Sequence, residues 1–205
     1  RDWWPKMVVL KIMQQYYSAT KDQRVIPFMT NYFKYQLEEL PKNPLGKWTF
    51  WAEQRGGDNL MMVYWLYNIT GDKFLLELGE LLNSQNVNWT DVFTKDNHLY
   101  RQHSLHCVNL AQGFKQPTVY YQQSKDKENL EAAEKAMKTI RNTIGTPIGL
   151  WAGDELIRFG DPIYGSELCT AVEMMYSLET MLEITGNMQW ADQLERIAYN
   201  ALPTQ

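Results

Sequence analysis

Cysteine is scarce in this chain, with two in 205 residues, Cys107 and Cys169. Two thiols cannot build the disulfide framework of a small secreted domain. The fold must therefore rest on an apolar core, for which 44% hydrophobic residues are enough. Long apolar runs are missing too. None approaches the ~18 residues of a membrane span, so no membrane partner is expected. The start, Arg1-Asp2-Trp3-Trp4-Pro5, has neither an initiator Met nor the apolar stretch of a secretory leader. That reads as processing or truncation and leaves cytoplasm and periplasm both open. Charge of one sign does not dominate: 20 basic residues face 24 acidic ones, for a net charge of −4. Without a basic patch, nucleic acid is not an expected partner.

Aromatic residues are abundant, at 8 Trp and 12 Tyr. Many must be core, but flat Trp and Tyr faces are also the platforms on which sugar rings stack. Composition thus leans toward carbohydrate as the ligand.

A short motif recurs at Ala19-Thr20-Lys21-Asp22, Ile69-Thr70-Gly71-Asp72, Gln123-Ser124-Lys125-Asp126 and Ile184-Thr185-Gly186-Asn187. The Asp/Asn positions 22, 72, 126 and 187 are 50, 54 and 61 apart, which marks a repeated supersecondary unit. Apolar steps of three or four flank the motifs. Examples are Leu168, Val172, Met175, Leu178 and Leu182, then Trp190, Leu194, Ile197 and Ala201, and earlier Leu130, Ala133, Met137, Ile140 and Ile144. Gly71 or Gly186 can end a helix in the left-handed conformation, and the next Asp or Asn can cap its successor. Each motif is then the turn of an αα-hairpin. Helices are predicted over roughly 3–19, 22–40, 56–69, 72–85, 104–123, 126–142, 166–184 and 187–202. The class is all-α.

Alternating helices place the four tight turns at one end and the longer connections, roughly 41–55, 86–103 and 143–165, at the other. Long loops on a rigid scaffold can build a site. The candidates there are Trp48, Trp51, Arg55, Asp58 and Asn59 in the first, Trp89, His98, His103 and His106 in the second, and Trp151, Asp154, Glu155, Arg158, Asp161, Glu167 and Cys169 in the third. Glycoside cleavage commonly needs a carboxylic acid to protonate the leaving oxygen. Asp154-Glu155, set near Trp151 and Phe159, can supply one, or be a solvated acidic pair. Glu167 and Cys169 are both zinc-type ligands, though a closed site needs four. Otherwise they are a helix-dipole carboxylate and a small buried residue. His103, His106 and Asn109 suit sugar hydroxyls, or capping and interhelical hydrogen bonds. Arg55-Gly-Gly-Asp58-Asn59 lacks the Lys-Ser/Thr of a phosphate loop. It offers groups for sugar hydroxyls, or a helix start capped by Asp58.

Taken in order, Asp2-Trp-Trp-Pro5, Arg55-Gly-Gly-Asp-Asn59 with Trp65-Leu-Tyr67, His106-Cys-Val-Asn109, Gly153-Asp-Glu155 and Glu167-Leu-Cys169 with Val172-Glu-Met-Met175 resemble the catalytic domain of glycoside hydrolase family 127, in a bacterial branch. The resemblance covers nearly the whole chain. It implies helical hairpins forming part of an (α/α)6 barrel, about four of six, over residues 1–205. The remaining barrel and the β-sandwich modules would lie outside the chain. It also implies a retaining β-L-arabinofuranosidase acting on plant or glycoprotein glycans, with a cysteine nucleophile at a zinc site of three cysteines and one glutamate. On this chain, Glu167 and Cys169 would be metal ligands and Glu155 the acid/base. Trp51, Arg55, Asp58, Asn59, His103, His106, Asn109 and Trp151 would be substrate contacts.

The family's nucleophile belongs to an adjacent cysteine pair beyond the last hairpin, so this chain is expected to be inactive alone. It is also expected to self-associate through exposed barrel edges, near Trp3–Tyr17 and Trp190–Leu202. Two other enzyme activities share such a scaffold without zinc: unsaturated-uronyl hydrolysis and sugar epimerisation. A non-catalytic helical-repeat protein that binds a glycan is the alternative from another class.

Overall fold

The computed structural model describes residues 2–95, 105–158 and 161–205, and within these the chain forms two compact units, Arg1–Asn88 and Trp89–Gln205. Among the described residues the regular structure is helical, accompanied only by isolated bridges.

The first unit comprises α1 (Trp4–Thr20), α2 (Val25–Glu39), the short α3 (Trp51–Gln54), α4 (Gly56–Thr70) and α5 (Phe74–Gln85). Helices α4 and α5 pack as a hairpin, with α1 against α4 and α2 against α5. The second unit comprises α6 (Trp89–Thr94), α7 (Cys107–Gly113), α8 (Gln116–Ser124), α9 (Lys127–Thr143), α10 (Leu168–Thr185) and α11 (Met188–Arg196), continued by a wider turn over Ile197–Ala201. There α9 packs on α6 and α8, while α10 packs on α7 and α11. A chain of rings fills this core. Trp89 lies 5.4 Å from Phe93, Phe93 5.7 Å from Phe114, and Phe114 6.2 Å from Trp190. Buried ring contacts of this kind add dispersion to the hydrophobic burial.

All four repeated motifs are hairpin turns of one design. The third motif residue ends the helix in the left-handed region: Lys21 at φ 57°, Gly71 at 73°, Lys125 at 58° and Gly186 at 67°. The hydroxyl before it turns back to accept from the following Asp or Asn amide. The bonds to Thr20, Thr70, Ser124 and Thr185 are each 3.2 Å. Asp22, Asp126 and Asn187 then accept from the amide two residues on, at 3.0, 3.0 and 3.1 Å, starting the next helix. Asn187→Ala removes such a cap, and about 1 kcal/mol of stability is expected to go with it. A urea denaturation midpoint would register the loss, and an unchanged midpoint would mean that the packing of α11 alone fixes its start.

Three features depart from the sequence expectation. The sequence predicts a long connection over 86–103, yet Trp89–Thr94 is a helix whose Trp89, Val92 and Phe93 are buried. The helix expected over 104–123 is interrupted at Phe114-Lys115. Pro117 has no amide proton for the carbonyl four residues back, at Gly113, so the ladder cannot run straight through. Side chains take the carbonyls there: the Ser177 hydroxyl donates to Ala111 O at 2.6 Å and the buried Lys115 ammonium to Gln112 O at 3.2 Å. In α10 the buried face runs through Ala171, Met174, Leu178 and Met181, whereas Leu168 and Val172 of the expected stripe are exposed. Apolar residues occupy more than one face of that helix, so periodicity alone did not fix its inner face.

The terminal helices are covered on one face only. Trp3, Met7, Leu10, Trp190 and Ile197 are buried, while Val9, Ile12, Tyr16 and Tyr199 remain exposed.

Candidate active site

In the second unit, three segments that are distant in sequence meet. Leu105–Cys107 runs antiparallel to Glu155–Ile157, joined by the Cys107 amide to Glu155 O at 2.9 Å and the Ile157 amide to Leu105 O at 3.3 Å. Gly153 bridges to Ser166, and its amide donates to Gly165 O at 3.0 Å. Gly153 permits this crossing. Its φ is +148°, and a Cβ there would lie 2.4 Å from Leu156 O and 2.5 Å from Cys107 Sγ. Only glycine tolerates both the conformation and the approach.

The crossing sets Glu155 over His106. His106 is the N-cap of α7, and its Nδ1 accepts from the Val108 amide at 3.1 Å. A ring whose Nδ1 is an acceptor carries its proton on Nε2. Nε2 therefore donates to Glu155 Oε2, at 2.6 Å. The ring is largely covered, while the Glu155 side chain stays 71% exposed. Contact with imidazole, and not the burial beside Trp151 expected from sequence, defines the surroundings of this carboxyl. Trp151 itself is buried, as is Asn109, whereas Phe159 and His103 (with His98) lie outside the described residues.

Glu167 is the N-cap residue of α10 and stands beside this pair. Donor atoms of His106, Glu155 and Glu167 all lie within 4.8 Å of one another. The Glu167 carboxylate also receives the Thr170 hydroxyl at 3.4 Å. Partial burial, then the bond to Glu167 and its charge, push the Cys169 thiol up to about 11. Burial and the Glu167 charge push Cys107 up to about 12. Both thiols are therefore protonated near neutral pH. A raised thiol pKa means that the unfolded chain binds fewer protons between the ordinary value of 9.0 and about 12, so stability falls as pH climbs through that window. Cys107 should resist a thiol-specific disulfide reagent at pH 8 until the protein is unfolded, and Cys169 should react slowly. Rapid titration of both in the native state would contradict this arrangement.

Zinc accepts both a carboxylate and a thiolate. Glu167 and Cys169 stand two residues apart at the start of α10, and both offer donor types zinc takes, so this pair fits as two ligands of such a site. His106 fits less well, because its outward nitrogen holds a proton engaged with Glu155.

In the first unit the expected sugar contacts divide. Asp58 and Asn59 are buried. Asp58 does not cap α4: the N-cap is Arg55, and the Asp58 carboxylate instead pairs with Lys11 of α1 at 2.8 Å. Asn59 exchanges two amide hydrogen bonds with Gln36 of α2, at 3.1 and 3.0 Å. These residues lock helices together. Arg55 and Trp51 remain partly accessible, with the guanidinium 4.3 Å from the Trp51 ring centre and 4.7 Å from that of Trp4. Trp4, which the sequence did not single out as a site residue, thus completes a cation–π stack.

An exposed carboxyl held against an imidazole, next to a second carboxylate, brings together groups able to hold and pass a proton. The family model described as Beta-L-arabinofuranosidase, GH127 catalytic domain, matches residues 3–205, and the chain belongs to that family. It is thus a glycoside hydrolase catalytic domain, all-α, whose hairpins are part of the family's (α/α)6 barrel. No curated protein matches the chain, and no solved structure does.

Proposed function

We propose that this domain serves a retaining glycosidase that releases β-linked L-arabinofuranose, with Glu155 as general acid/base. The contact between His106 Nε2 and Glu155 Oε2 carries the proposal. It fixes one oxygen of an accessible carboxyl and leaves the other to hold the proton given to the glycosidic oxygen. In the second half-reaction the same oxygen takes a proton from water. His106 is a positioning residue, oriented through Nδ1 by the Val108 amide.

Glu167 and Cys169 would hold zinc, and bound zinc stabilises a thiolate near neutral pH. Cys107, covered completely and pressed toward Gly153, is assigned no part as nucleophile. Protein carrying this domain should hydrolyse 4-nitrophenyl β-L-arabinofuranoside and spare the α-L-arabinofuranoside and β-D-glucoside. Activity on the latter two alone would remove the sugar assignment.

One observation favours a second mechanism within the same class. Glu155 and Glu167 approach within 4.8 Å, near the about 5–5.5 Å separation of acid and carboxylate nucleophile in retaining enzymes. Under that mechanism Glu167 attacks directly and Cys169 is dispensable. Cys169→Ser separates the two. Joint loss of bound zinc and turnover supports the metal-held thiolate, and full activity supports the carboxylate.

A further inference from the structure

The second unit holds a cavity of about 340 Å³ between α9, α11 and the loop after Ile144. None of His106, Glu155 or Glu167 lines it, and its size lies within the range of small-molecule sites. Its apolar wall includes Ile140, Leu150 and Met174, and its polar side is supplied by Arg141, Gln193 and Arg196. Basic residues near helix C-termini are favoured by the helix dipole alone. Three observations go further than that.

Arg141 is held in place. Its Nη2 donates to Gln193 Oε1 at 2.9 Å, and buried Gln193 is itself anchored through Nε2 to Gly149 O. Arg196 is held too, its stem lying where a Gly149 Cβ would be, with Cγ and Cδ 2.7 and 2.8 Å from that position. Finally, neither guanidinium pairs with a carboxylate among the described residues. One guanidinium fixed by Gln193 and a second carried on a stem packed at Gly149, beside an apolar wall, match an oxyanion attached to a compact, partly apolar body.

We propose that this cavity binds a carboxylate or phosphate carried on a body of monosaccharide size. The loop it grips, Gly145–Trp151, leads directly to Gly153 and Glu155, so occupancy would also steady the segment that presents the acid/base.

Isothermal titration of the whole chain with galacturonate, glucose 6-phosphate, inorganic phosphate and galactose tests this without reading turnover. At least one charged sugar should bind, and which one identifies the oxyanion. Its affinity should weaken about tenfold or more in Arg141→Gln and in Arg196→Gln. In the parent protein it should also fall as salt is raised. Galactose should not bind. No binding of either charged sugar at tens of millimolar would overturn the proposal. So would inorganic phosphate binding as well as the sugars, or affinity that survives in the double variant.

Discussion

Glu155→Gln is expected to slow turnover of an arabinofuranoside with an unactivated leaving group by about 10²–10⁴-fold. An amide cannot protonate the departing oxygen. An aryl glycoside with a good leaving group needs no such proton, so its glycosylation step should lose far less. Deglycosylation still needs a base, and a burst of aryl alcohol followed by a slow steady state is the expected time course. His106→Gln tests the positioning contact separately. Removing the Nε2–H···Oε2 contact should lower kcat with little change in KM, and more for poor leaving groups than for good ones. Equal losses for good and poor leaving groups in Glu155→Gln would sink the acid/base assignment. The experiment belongs in protein that shows the activity to begin with.

Gly153→Val should be strongly damaging, at about 3 kcal/mol or more. The backbone at φ +148° disfavours any side chain, at about 1–3 kcal/mol. The new carbons would also meet Leu156 O and Cys107 Sγ, and overpacking of a tight site costs about 1–3 kcal/mol in addition. Gly71→Ala is the control. At φ +73° with nothing within 4 Å, it carries only the left-handed penalty, about 1 kcal/mol. Urea midpoints at constant m-value measure both. Because Gly153 holds the crossing together, its valine variant should also lose the His106–Glu155 contact, which the chemical shifts of the imidazole would report. A Gly153→Val protein as stable as Gly71→Ala would mean that the loop has an alternative path and that the crossing is not what places Glu155.

What the sequence determined by itself is local. The four hydroxyl–Lys/Gly–Asp/Asn motifs specify left-handed helix ends and the caps that follow, because a turn is built from backbone and side-chain groups within four residues of each other. The apolar steps flanking them specify helices, and the order of short motifs is enough for the family. His106, Glu155 and Glu167 each sit at a helix start or in the long connection beside it, and in the fold their donor atoms lie within 4.8 Å of one another.

Only the tertiary structure decided how the remaining polar residues are used. Asp58 and Asn59 look as available as Arg55 in sequence, yet packing of α4 against α1 and α2 supplies Lys11 and Gln36 as their partners. Desolvation forces buried polar groups to pair, and the pairing partner lies 23 or 47 residues away, beyond any local pattern. The same holds for the 49-residue separation of His106 and Glu155 and for the Arg141–Gln193 bond across 52 residues. Helix periodicity names a face, but where apolar residues occupy more than one face, as in α10, it is packing against α7 and α11 that selects the buried side. Contacts of such long range follow from how the helices settle against one another, and that is a property of the folded core.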